Sequence, residues 1–197
     1  MLSLIMLPAT LTVGLFFYWK HNKNPKLGGA ISLSKALWLI YAIYTWFIFI
    51  PYLVFAHNLP PFVTVVWKVF WFWMVFRGIV EIYMMYVSKN WSPIYGISHD
   101  LSCLIILIAG TIYYLPSYAQ LPSVLVAFHY SLILSLALET YYAYSFFQIV
   151  KEKTKGEDAI WFASKDDPRF KKLVFITGLM NWPLYAVLIL YHIKLLN

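Results

Sequence analysis

Leu37-Trp-Leu-Ile-Tyr-Ala-Ile-Tyr-Thr-Trp-Phe-Ile-Phe-Ile-Pro-Tyr-Leu-Val-Phe55 decides the fold class, because it runs from 37 to 55 without one charged side chain. A helix needs about 20 predominantly apolar residues to cross the hydrocarbon of a bilayer. A soluble core cannot absorb several runs of that length. The run stops at Ala56-His-Asn-Leu-Pro60, where polar side chains and a proline suit a turn. Working outward, comparable runs cover 2–19 before it and 62–87, 101–115, 123–150 and 173–193 after it. The fourth is short for a span, and a start nearer Tyr95 would lengthen it. The pattern predicts an all-α membrane protein: a bundle of about six transmembrane helices forming a single transmembrane domain over 1–197. Five spans is the rival count. The longest loop, Lys151–Lys172, is too short to be a domain.

Composition points the same way. The chain is 62% hydrophobic and 12% charged, whereas soluble domains carry about 25% charged residues. The mean hydropathy is +0.70. Aromatic residues make up 20% of the chain, and rings with a polar tip favour the membrane–water interface. The net charge of +7 would suggest nucleic-acid binding in a soluble protein. Here the basic residues flank the apolar runs, so the expected partners are membrane lipids and no nucleic acid; the oligomeric state is open. The single cysteine, Cys103, excludes an intramolecular disulfide and reads as a buried, inert thiol.

Orientation follows from the basic residues. Twelve of the fifteen Lys and Arg residues fall in the first, third and fifth loops and their flanks, at 20–35, 89 and 151–172; the second and fourth loops carry none. The positive-inside rule then places both termini on the non-cytoplasmic side. Lys194, at the outer end of the last helix, can snorkel. The first run lacks basic residues before it and has them after it, the reverse of a signal peptide, so it reads as a retained helix. The implied location is an integral membrane one, bacterial inner membrane or endoplasmic reticulum.

Polar groups inside the spans carry the functional signal, since a charge at the bilayer centre costs about 2.5–3.5 kcal/mol on insertion scales. Arg77 and Glu81 are four apart on the third helix and share a face. They form either a neutralising ion pair or a site in which Arg77 holds Glu81 ready for a ligand. Glu139 has no cation three or four residues away, only Ser135 and Tyr142. Asn181 stands beside Trp182 and Pro183, where it serves as interhelical glue or as a ligand contact. By depth, Arg77, Glu81, Glu139 and Asn181 are expected to meet in the inner half of the bundle. His129 lies nearer the outer face. His99 and Asp100, at the expected start of the fourth helix, read most simply as a cap. Aromatics around the carboxylates, Tyr83 and Tyr142 among them, would line an apolar pocket for a lipophilic small molecule. The candidate catalytic residues are Glu81, Glu139 and Asp100; the candidate ligand-binding residues are Arg77, Tyr83, Tyr142, Asn181 and Trp182. No metal and no cofactor is expected: the chain has no Gly-rich phosphate loop, no Gly-x-Ser-x-Gly elbow and no His-x-x-x-His pair.

Phe76-Arg-Gly-Ile-Val-Glu-Ile-Tyr83 resembles the EXPERA-domain family of emopamil-binding sterol isomerases and sigma-2 receptor-like proteins. That family has a polar residue four before a helix-buried Glu, followed by aromatics, as Arg77 and Glu81 are here. Glu139 falls in what would be the family's next-to-last helix, and Phe175-Ile-Thr-Gly-Leu-Met-Asn181 is similar to its last. Asp100 would stand near its second carboxylate. The likeness covers about the last two thirds of the chain. It implies a pocket for a sterol-like or cationic lipophilic ligand. The isomerases carry His where Arg77 stands, and Arg cannot shuttle a proton at neutral pH, so the likeness does not by itself imply isomerase activity. The long family loop with its Trp and acidic residues is mostly missing, and the expected Trp after the Asn is shifted to Trp182.

Three functions follow from these readings. The first is a sterol- or isoprenoid-like lipid-binding protein or isomerase with an intramembrane acidic and aromatic pocket. The second is a small proton- or ion-coupled transporter using Glu81, Arg77 and Glu139. The third is a non-catalytic scaffold or assembly factor. Whether the chain is an enzyme is left open by the sequence.

Overall fold

The computed structural model describes residues 2–23, 30–56, 59–88, 93–151 and 168–196, and these are helical apart from short connections. The elements are α1 (Leu2–Lys23), α2 (Leu33–Tyr44), a π-helical turn (Thr45–Phe49), α3 (Ile50–Ala56), α4 (Pro61–Ile82), a second π turn (Tyr83–Val87), α5 (Pro93–Tyr113), α6 (Leu115–Ala119), α7 (Ser123–Lys151) and α8 (Pro168–Leu196). The loop readings at Lys26, Lys89 and 153–167 lie outside the described residues.

Local chemistry sets these boundaries. Ser32 caps α2, its hydroxyl accepting from the Lys35 amide at 3.2 Å. Pro61 opens α4 where a missing amide hydrogen costs nothing. α2, the first π turn and α3 run on without a break. Five helices are long and apolar enough to cross a membrane: Leu33–Phe55, Pro61–Glu81, Ile94–Tyr113, Ser123–Gln148 and Lys171–Lys194. The expected run 2–19 is helical within α1, which does not count among these five.

The five spans close a ring. α4 packs on α3 and α5, α5 on α7, α7 on α8, and α8 returns to α2; α1 lies outside the ring, against α2. The ring centre is filled by Tyr41, Phe49, Leu53, Trp67, Phe70, Phe128 and Leu132. Large apolar side chains also cover the outside: Phe47, Phe72, Phe76, Ile105, Ile112 and Phe175 are all exposed. A soluble protein rarely shows so much exposed apolar surface, whereas lipid-facing helices require it. Five such helices fit a multi-pass integral membrane protein.

Two glycines set the closest helix approaches. A Cβ on Gly110 would stand 2.6 Å from Val66 Cγ1, so α5 meets α4 there without a side chain between them. A Cβ on Gly14 would overlap Ile40, the same device between α1 and α2.

One boundary corrects an expectation. α5 begins at Pro93 rather than 101, so His99 and Asp100 lie inside the helix and Asp100 is not a cap. Proline suits the first helical position. The polar residues that follow are tolerated within the helix because Asp100 finds a cationic partner on α4.

A carboxylate–arginine cluster and a buried glutamate

Arg77 is the hub of the first group. It lies one turn before the end of α4, facing the first half of α5. One guanidinium nitrogen pairs with Asp100 Oδ1, and the other reaches Glu81 Oε1 at 3.3 Å. The i,i+4 spacing brings Glu81 to Arg77, and the α4–α5 contact brings Asp100. Asp100 is buried and Glu81 is half-buried, so the cluster opens to the surrounding medium on the Glu81 side. Arg77 Nε is buried without a hydrogen-bond partner.

His99 extends the cluster. Its Nε2–H donates to the Trp73 carbonyl at 3.1 Å, and its ring stacks on the Trp73 indole at 10° between planes. That leaves Nδ1 facing Asp100 Oδ1 at 3.7 Å. Trp73 in turn donates its Nε1–H to Ser102. Cys103 is buried, as its apolar run suggested, with its sulfur 3.1 Å from the Met74 sulfur and 3.6 Å from His99 Nδ1.

Glu139 forms a second group. It is buried on α7, and Oε1 accepts from Trp38 Nε1 and from the Ser135 hydroxyl, each at 3.2 Å. The charges of Asp100 and Arg77 act on it without direct contact. Tyr142, one turn on, carries Lys35 Nζ over its ring at 4.5 Å; the same ammonium sits over Trp38 at 3.9 Å. This cation–π clamp ties α2 to α7 beside the glutamate.

The expected meeting of four groups is therefore split. Arg77 and Glu81 come together with Asp100. Glu139 sits with Trp38 and Ser135. Asn181 is buried and donates Nδ2–H to the Ser34 carbonyl at 2.8 Å, joining α8 to α2, while its Oδ1 has no partner. Tyr83 and Trp182 are both exposed on the outer surface of the bundle and approach neither group.

His129 stays apart from these groups, as its depth suggested, within a network of its own. Nδ1 accepts from Trp67 Nε1 at 3.2 Å, Nε2 bonds Thr111 Oγ1 at 2.7 Å, and Thr111 donates to the Leu107 carbonyl. Since Thr111 spends its hydrogen on that carbonyl, it accepts from Nε2–H. The imidazole is thus neutral and fully bonded, a structural histidine tying α4, α5 and α7. His192 is set similarly between the Tyr44 hydroxyl and the Leu188 carbonyl.

A cavity lies elsewhere. A groove of about 740 Å³ opens between α1 and α2, lined by Met6, Val13, Phe17, Tyr18, Ile40 and Ile43 among others. Among the described residues its lining holds no carboxylate, and its few polar side chains are Thr10, Tyr18 and His21. Sequence reasoning missed this groove because nothing in an apolar run shows which of its faces fails to meet a neighbour. It also missed Trp38, whose signal, an indole in an apolar helix, is shared by many interfacial tryptophans.

Fold and side chains together define a helical, multi-pass class of membrane protein with ionisable groups held inside the bundle. Comparison of the chain with protein-family models, curated proteins and solved structures finds no match.

Proposed function

We propose that this protein binds a membrane lipid, whose apolar chain or ring system lies in the groove between α1 and α2. The observation that carries this reading is the groove itself: about 740 Å³ of almost wholly apolar space beside a span, open to its surroundings. Volumes of about 300–1,000 Å³ with a few polar groups suit small lipophilic ligands. His21 and Tyr18 lie toward the end of α1 that also carries Lys20 and Lys23. An amphiphile would therefore sit with its polar head at that basic end and its apolar part toward Met6 and Ile43. A sterol- or isoprenoid-like molecule fits this description. The reading stops at binding, since the candidate catalytic residues Glu81, Asp100 and Glu139 do not line this groove.

In this reading α1 is the sixth span, both termini are non-cytoplasmic, and the basic ends of the helices face the cytoplasm. The proton- or ion-coupled alternative draws on a different observation, the buried and mutually interacting charges of Arg77, Asp100 and Glu139.

Lipid mass spectrometry on the detergent-purified protein tests the proposal. Ala9→Trp fills the groove from α1 and leaves the five-helix ring untouched. The wild type should carry one enriched lipid class that Ala9→Trp loses, while Glu139→Gln keeps it. The same lipid profile in wild type and Ala9→Trp would remove the groove as a binding site.

A further inference from the structure

Charge at one end of the lipid groove narrows what can occupy it. Asn22, in the last turn of α1, grips the chain just before α2 at two points. Its Nδ2–H donates to the Ile31 carbonyl at 2.9 Å, and its Oδ1 accepts from the Ile31 amide at 2.8 Å. Ile31 and His21 both line the groove, so this clamp fixes its polar end. Lys20 and Lys23 stand in the same turn of α1 as His21. The Lys23 ammonium lies over the Trp19 ring, 5.3 Å from its centroid, a contact that orients the charge without cancelling it. α2 begins at this end as well, and the positive end of its dipole adds to the field of the lysines.

The hairpin that forms the groove has no acid to oppose that charge. Residues 2–56 hold Lys20, Lys23, Lys26 and Lys35 and no Asp or Glu. A cytoplasmic location alone does not require this, since the positive-inside rule counts Lys and Arg and is nearly indifferent to acids. The other long basic segment shows the contrast: over 151–172, seven Lys and Arg are interleaved with five Asp and Glu. An apolar groove with net positive charge at one end complements an apolar body that ends in an anion.

We propose that the occupant of the groove is an anionic amphiphile, whose apolar part lies along α1 and α2 and whose phosphate head sits beside His21, Lys20 and Lys23. A phosphate monoester presents three acceptor oxygens and about two negative charges, a match for two ammonium groups and an imidazole. Basic clusters at the cytoplasmic ends of spans recognise lipid heads in this way. The inference rests on the groove binding a lipid at all, and adds the class of its head. Two sources share this chemistry, a glycerophospholipid and a prenyl phosphate.

The test is binding to the full chain in neutral detergent, read by native mass spectrometry with matched probes. Lysophosphatidic acid is compared with monoacylglycerol, and farnesyl phosphate with farnesol. In the wild type the phosphorylated member of at least one pair should bind about ten-fold or more tighter, and the ratio should fall as NaCl is raised. The pair with the larger ratio identifies the source. The triple variant Lys20→Gln, His21→Gln, Lys23→Gln should lose the preference and still bind the neutral members, which shows that it folds. Lys20→Arg with Lys23→Arg should keep the preference. Equal affinity within both pairs in the wild type would overturn the proposal and leave the groove as a site for neutral lipid. So would a preference that survives the triple variant. Ala9→Trp binding every probe as the wild type does would instead remove the groove, and this proposal with it.

Discussion

At the scale of single residues, Arg77 shows how a membrane protein tolerates charge. Its guanidinium holds two carboxylates from α4 and α5, one of them buried. Removing one partner of a buried ion pair leaves the other uncompensated and costs about 3–5 kcal/mol. Arg77→Met should therefore lower stability by about that amount in detergent unfolding, through Asp100. Adding Asp100→Leu should restore most of it, because the pair is then replaced by apolar contact. Glu81→Gln should cost about 1 kcal/mol or less, since Glu81 is the more exposed partner. If Arg77→Met unfolds with the wild-type midpoint, the cluster is not what holds α4 to α5.

At the scale of elements, close approach is decided by glycine. Without a Cβ at 110, α5 nests on Val66 of α4. Gly110→Ala forces that contact apart and should destabilise by about 1–3 kcal/mol, as overpacking does. Val66→Ala makes room for the new methyl, so the double variant should recover stability relative to Gly110→Ala alone, a coupling readable in a double-mutant cycle. Additive losses would mean the helices do not meet there. The π turn at Thr45–Phe49 acts at the same scale. It lies within the span that carries Trp38 to Glu139 and places Phe49 in the core. Neither its existence nor that of the turn at Tyr83–Val87 was read from the apolar runs, because a π turn is a local widening that hydrophobic spacing does not encode.

At the scale of the molecule, the ring of five spans with α1 on its flank makes topology the decisive measurement. An odd number of crossings puts the termini on opposite sides, and an even number puts them together. With α1 as a sixth crossing, reporters fused at both ends should be active on the non-cytoplasmic side, and one fused within 152–167 should be cytoplasmic, as the basic flanks demand. A cytoplasmic N-terminal reporter beside a non-cytoplasmic C-terminal one would leave five crossings, with α1 lying at the surface. The lipid groove would then be an interfacial feature.

What the sequence determined by itself was whatever composition and period can carry. Long uncharged runs specified helices and their approximate ends, and i,i+4 spacing put Glu81 on Arg77. Ser135 bonding to Glu139 was equally local. A common depth for Arg77, Glu81, Glu139 and Asn181 was the sequence's expectation, but depth is one coordinate of three. Only the tertiary structure decided the other two, the order of helices around the ring and the rotation of each about its axis. Those sent Asp100 to Arg77, Trp38 to Glu139 and Asn181 to the Ser34 carbonyl. They also turned Tyr83 and Trp182 outward. A membrane helix is apolar on its lipid face and its packed face alike, so its sequence carries little amphipathic signal to fix that rotation. Packing against neighbours fixes it instead.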